Sequence, residues 1–110
     1  MAEPVKLRIG GYQFACYRLS EAQFINIAAV YVIIGVKPDK GWDVLDVGQS
    51  GELGERMQDH PRREEWFQEW PNGNIWVCIL PTPSSRYTEQ DRTEIEGRIR
   101  QRYSPPCGKR

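Results

Sequence analysis

Apolar and polar positions along the chain alternate in short blocks, and the period within each block predicts its conformation. Residues 5–9 and 12–17 are partly alternating apolar runs separated by Gly10-Gly11. Two glycines between strand-like runs predict a tight hairpin, because both central residues of a primed turn take positive φ. Ser20 is placed to cap a short helix over residues 21–26. Residues 29–35 are rich in β-branched side chains and read as a buried central strand. Lys37-Pro38-Asp39-Lys40-Gly41 is a turn, and residues 42–47 supply an antiparallel return strand ending at Gly48.

Helical spacing takes over next. Ser50 is expected to cap a helix starting near Gly51, with Leu53 and Met57 on its buried face and Glu52, Arg56 and His60 along another line. Pro61 suits the first turn of a second helix, residues 62–70, whose Trp66, Phe67 and Trp70 are expected to face a core. Residues 74–80 form a third central strand. Thr88 caps a final helix over residues 89–103, with Ile95, Ile99 and Tyr103 as its buried stripe, and Pro105-Pro106 stops it. The expected fold is a small α/β or α+β domain: a mainly antiparallel, three-stranded central sheet flanked by helices. Residues 1–27 form an N-terminal β-hairpin and short-helix extension, and residues 28–110 form the main unit.

Composition narrows the functional classes. The chain has 110 residues, 39% of them hydrophobic, which suits one folded core. The longest continuous apolar run, residues 27–34, is far short of the roughly 18–20 residues a membrane span needs. No basic segment followed by an apolar stretch opens the chain, so the expected location is the cytoplasm. Cys16, Cys78 and Cys107 are odd in number and widely spaced, and all three are expected to be reduced. Fifteen basic residues balance 15 acidic ones, which disfavours strong non-specific nucleic-acid binding by the chain as a whole. Residues 86–110 nevertheless carry a basic surplus, which reads equally as a weak phosphate-facing patch or as a solvated, ion-paired helix.

A spaced constellation carries the chemical signal. Ala29-Val30-Tyr31 and Asp46-Val47-Gly48 bracket the hairpin turn, Arg56 follows Asp46 by ten residues, His60 comes four later, and Glu96 precedes Pro105 by nine. In this order and spacing the chain, from about residue 28 to 108, resembles the GIY-YIG nuclease family. The resemblance implies a GIY-YIG endonuclease-like fold and metal-dependent hydrolysis of DNA phosphodiester bonds. It implies that Tyr31 orients or deprotonates the attacking water and that Arg56 clamps the phosphate with its planar fork. His60 donates to the leaving oxygen or contacts the backbone, and Glu96 holds one divalent cation, Mg²⁺ or Mn²⁺.

Two positions depart from the family pattern. Asp46 replaces the second motif's tyrosine, and Gly108 stands where an asparagine is expected. Aspartate is a poor base at neutral pH, so Asp46 is expected instead to join Glu96 as a second metal carboxylate. Taken singly, each residue has a structural reading. Arg56 can pair with Glu52, Glu96 with Arg92 or Arg100, and Tyr31 can be plain core. The alternatives to cleavage are a nucleic-acid-binding module of the same fold that has lost catalysis, and a protein-interaction domain built on Trp66, Phe67 and Trp70. The expected partner is DNA, branched or damaged, with a second copy of the chain or another protein supplying specificity.

Overall fold

The computed structural model describes residues 4–108. Strands β1 (Val5–Ile9) and β2 (Tyr12–Arg18) form the first hairpin, and β3 (Ala29–Val36) and β4 (Trp42–Ser50) the second. Helices α1 (Leu53–Gln58) and α2 (Arg63–Glu69) follow, then β5 (Ile75–Pro81) and α3 (Glu89–Tyr103). All pairings are antiparallel, in the order β1-β2-β5-β3-β4. The result is a small α+β fold.

The expected three-stranded sheet is therefore five-stranded, and the first hairpin is continuous with it. The reason lies in β5. Val77 and Cys78 point to opposite faces and both are fully buried, so β5 is a central strand whose backbone needs partners on both edges. β3 satisfies one edge and β2 the other, with Ala15 opposite Ile79 and Arg18 opposite Trp76.

Alternation along β3 divides the core into two layers. Tyr31 and Ile33 face α1 and α2, where they meet Leu53, Met57 and Trp66. Val30, Val32 and Ile34 face the other way, toward Ile95 and Ile99 of α3. Helices cover both faces of the sheet.

Three further expectations change. Residues 21–26 form no helix: after one turn, closed by the N–H groups of Glu21 and Ala22 on the Arg18 carbonyl, the chain is irregular and bends at Asn26. So short a segment makes too few hydrogen bonds to offset helix nucleation, and the Asn26 side chain at its end, with the Ile27 carbonyl after it, serves α1 instead. Leu53 N–H donates to the Ile27 carbonyl and Glu55 N–H to Asn26 Oδ1. Ser50 Oγ accepts from Glu52 N–H, but the helix begins two residues later than expected, at Leu53. Cys16 and Cys78, expected as thiols, face one another across β2 and β5 with Cα atoms 3.9 Å apart and are joined as a disulfide. Their 62-residue separation conceals a direct cross-strand register. Only Cys107 is a free thiol among the described residues, and burial pushes its pKa up to about 12.

The last helix follows expectation. Thr88 and Asp91 form a reciprocal capping box, and Ser104 ends the helix in the left-handed conformation. Among the described residues, no helix is long and apolar enough to cross a membrane.

Candidate functional site

The site is built where the β3–β4 hairpin meets the connection between α1 and α2. Tyr31 is fully buried in mid-β3, directly opposite Gly48 in the β3–β4 register. Its hydroxyl lies over Gly48, where a Cβ would run into Tyr31 Oη, Cζ and Cε2. Only glycine lets the phenol cross β4 here.

His60 lies just beyond α1, and its Nε2 is 2.6 Å from Tyr31 Oη. Arg62 N–H donates to His60 Nδ1 at 3.1 Å, which assigns Nδ1 as the unprotonated nitrogen and Nε2–H as the donor to the phenol. Burial, reinforced by Arg62 and Arg56, lowers the His60 pKa to about 4, so the ring is neutral at pH 7. It packs edge-on to Tyr31 and against the Trp66 indole, with centroids 5.6 and 4.6 Å away. Arg56 Nε reaches the same phenol oxygen at 3.5 Å, the outer limit of a hydrogen bond. Arg56 and Glu52 form no ion pair among the described residues.

Tyr31 Oη thus faces two N–H donors, while its own proton has no acceptor among the described residues. Burial raises the Tyr31 pKa above its ordinary value, and Arg56 only partly opposes the rise. At neutral pH the group is a phenol, not a phenolate. It can donate to an incoming oxygen, and two donors stand ready to hold the anion should the proton leave.

Asp46 organises the second half of the site. Its side chain is fully buried, and its two oxygens accept from four donors. Oδ1 takes Val47 N–H and Arg100 Nη2, each at 2.8 Å; Oδ2 takes Arg62 Nε at 2.7 Å and Trp66 Nε1 at 2.8 Å. A carboxylate so surrounded is committed to the protein and has no lone pair turned to a cation. Arg100 continues the network through Nε to Glu96 Oε2 (3.1 Å), through Nη1 to the Cys107 carbonyl (3.2 Å), and through Nη2 to the Val47 carbonyl. Glu96 Oε1 has no hydrogen-bond partner among the described residues. Arg92, the other neighbour at helical spacing, turns instead to Gln49 Oε1 at 3.0 Å.

Gly108 closes the cluster with φ at 73°. A Cβ there would lie 2.7 Å from Arg100 Nη2 and 2.9 Å from both Arg62 Nε and Asp46 Oδ1. Any side chain, asparagine included, would collide with the ion pairs. Asp46 and Gly108 thus occupy one contiguous arrangement.

The structure therefore brings Tyr31, Arg56 and His60 into direct contact, and links Asp46 to Glu96 through Arg100. Arg62, Trp66 and Arg100 join the site without having been singled out for it by spacing. Among the described residues, no group of three or more His, Cys, Asp or Glu side chains is arranged to hold a metal ion. A surface cleft of about 720 Å³ reaches His60, bordered by Pro61, Arg63, Glu64 and Phe67. Phe67, expected in the core, is 41% exposed there under the Arg63 guanidinium, while Trp66 beside it fills the core. In comparison with known proteins, no family model matches the chain, and no curated protein or solved structure is significantly similar to it.

Proposed function

We propose that this chain is a GIY-YIG-type domain that binds DNA and hydrolyses its phosphodiester bonds with the help of a divalent cation. One observation carries the reading: Tyr31, His60 and Arg56 converge on a single phenol oxygen above Gly48. The order of elements supports it as well, with the motif hairpin followed by two helices, a strand returning beside β3, and the glutamate-bearing helix.

Each residue then has a task. Arg56 grips a non-bridging phosphate oxygen with the part of its fork not turned to Tyr31. Tyr31 aligns the attacking water through its hydroxyl, and the flanking N–H donors lower the cost of charge on that oxygen. His60, neutral and fixed in tautomer by Arg62 N–H, holds the phenol in place rather than taking its proton. Glu96 would hold Mg²⁺ or Mn²⁺ through its free Oε1, a one-carboxylate arrangement that suits Mg²⁺ with water and substrate phosphate completing the shell. Bound there, the cation supplies Lewis-acid polarisation of the phosphate. Asp46, committed to four protein donors, serves as an anchor in this scheme. Branched or damaged DNA in the cytoplasm is the expected substrate, with a second copy or a partner protein adding specificity.

A second reading, a nucleic-acid-binding module without cleavage, is favoured by the raised pKa of Tyr31 and by the engagement of Asp46. The deciding experiment is cleavage of supercoiled and branched DNA with Mg²⁺ or Mn²⁺, comparing wild type with Glu96→Ala and Arg56→Ala. The enzyme reading expects cutting by wild type and its loss in both variants. Cutting that survives Glu96→Ala refutes the cation's placement, and binding without cutting establishes the second reading.

A further inference from the structure

We infer that Arg62, carried by Asp46, is a second phosphate-gripping cation of the Tyr31 site, so that DNA is held there by an arginine pair rather than by Arg56 alone. This rests on the reading of the site as a phosphodiester site.

The two arginines bound to Asp46 are not equivalent. Each side chain is 23% exposed. All three nitrogens of Arg100 are engaged, by Glu96, Cys107, Asp46 and Val47. Arg62 uses Nε on Asp46 at 2.7 Å, and its two Nη groups have no protein acceptor among the described residues. Arg100 is consumed by the fold, whereas Arg62 keeps the outer edge of its fork for an oxyanion.

Its position is equally specific. The Arg62 backbone N–H donates to His60 Nδ1, and His60 Nε2 meets Tyr31 Oη, so a chain of hydrogen bonds runs from Asp46 through Arg62 and His60 to the phenol. Arg62 reaches that phenol's surroundings from the Asp46 side, and Arg56 from α1. The positive charge of Arg62 is felt at both Tyr31 and His60. Trp66 Nε1 shares Asp46 Oδ2, which keeps the carboxylate, and hence Arg62, from swinging.

Charge balance points to the same ligand. The hydrogen-bonded cluster contains Asp46 and Glu96 against Arg56, Arg62 and Arg100, with His60 neutral. One positive charge is left over in a partly buried setting, and a phosphodiester, a monoanion, neutralises it. Asp46 is then a positioning residue, and Arg62 the group that touches substrate.

The test measures binding of a fluorescein-labelled splayed-arm DNA duplex in Ca²⁺ over a range of NaCl concentrations. It compares wild type, Arg62→Gln, Arg62→Lys, Arg56→Gln and the remote control Lys6→Gln. Arg62→Gln is expected to weaken binding by about tenfold or more and to reduce the slope of log K against log [salt] by about one. Arg62→Lys keeps the slope but loses several-fold in affinity, because an ammonium cannot reproduce the fork; Lys6→Gln stays within about twofold. A second reading needs no DNA: NMR titration of His60, whose pKa should rise from about 4 when the Arg62 charge is removed. If Arg62→Gln binds like wild type while Arg56→Gln does not, the inference is overturned and the phosphodiester reading stands. If Arg56→Gln also binds like wild type, both fall. Should Arg62→Gln fail to fold, Arg62→Lys decides: unchanged affinity in that variant overturns the arginine-specific grip.

Discussion

Replacing Asp46 by Asn is the most demanding test of the ion-pair cluster, because it keeps the shape and removes the charge. Four N–H donors converge on the carboxylate, two on each oxygen. An amide offers one oxygen and one NH₂, so whichever way it flips, two of those donors meet N–H groups instead of an acceptor. Arg62 is at the same time left with no carboxylate, and Arg100 with Glu96 alone. Removing one member of a buried ion pair costs about 3–5 kcal/mol, and the partial exposure of the guanidiniums argues for the lower end, about 3 kcal/mol. For a domain of about 100 residues each kcal/mol is worth roughly 4–8 °C, so the melting temperature should fall by roughly 12–24 °C. Thermal and urea unfolding of wild type and Asp46→Asn measure this. A double-mutant cycle with Arg100→Gln should return a coupling of about 1.5 kcal/mol or more. A loss under about 1 kcal/mol, or additive behaviour in the cycle, would refute the view of Asp46 as the anchor of α2, α3 and the C-terminal segment.

Two further outcomes follow from the site. Gly48→Ala places a methyl group against the Tyr31 hydroxyl and ring, where neither the buried phenol nor the β4 backbone can yield cheaply. It should cost about 2–3 kcal/mol in urea unfolding and abolish DNA binding if the phenol is displaced; a wild-type unfolding curve would count against the packing of Tyr31 over β4. His60 makes stability depend on pH: its folded pKa of about 4 lies below the ordinary 6.5, so its contribution is complete above pH 6.5 and is lost as pH falls through that value toward 4. Allowing for solvent screening, the loss is on the order of 2 kcal/mol, read as the difference in pH dependence between wild type and His60→Gln; parallel curves would refute it.

Legibility of the fold divides along local and non-local lines. Helix α3 has the expected bounds because its signals are local: the Thr88 cap, the Ile95 and Ile99 stripe, and the prolines after it. The β3–β4 hairpin is legible for the same reason, through the β-branched run before a Pro-Asp-Lys-Gly turn and the short return strand after it. Which strand lies beside β5 is different in kind. It depends on β2 offering a second apolar face, with Phe14 and Cys16 both fully buried, and nothing within either segment states that pairing. The Cys16–Cys78 bond is a consequence of that register, so it became visible only with the sheet. The absent helix at residues 21–26 is a local error with a non-local cause: Asn26 and Ile27 spend their acceptors on the start of α1.

The site divides in the same way, and the partners of Asp46 are the part that spacing leaves out. Spacing alone relates Arg56 to His60 by one helical turn, and the fold turns both toward Tyr31. Glu96 and Arg100 are likewise visible as a helical pair. No periodicity relates Asp46 to Arg62, to Trp66 or, 54 residues away, to Arg100. An aspartate at a strand end, in place of a motif residue and facing the presumed site, invites a ligand role when its partners are unseen. Once two guanidiniums, an indole and a backbone N–H are found on its oxygens, the same burial that suggested a site favours an ion pair, since a buried carboxylate must be paired to stay charged. Gly108 follows from that pairing, because the space an asparagine side chain would fill is taken by Arg62, Arg100 and Asp46. The two positions are thus coupled: Gly108→Asn with Asp46, Arg62 and Arg100 in place should lower stability in thermal unfolding.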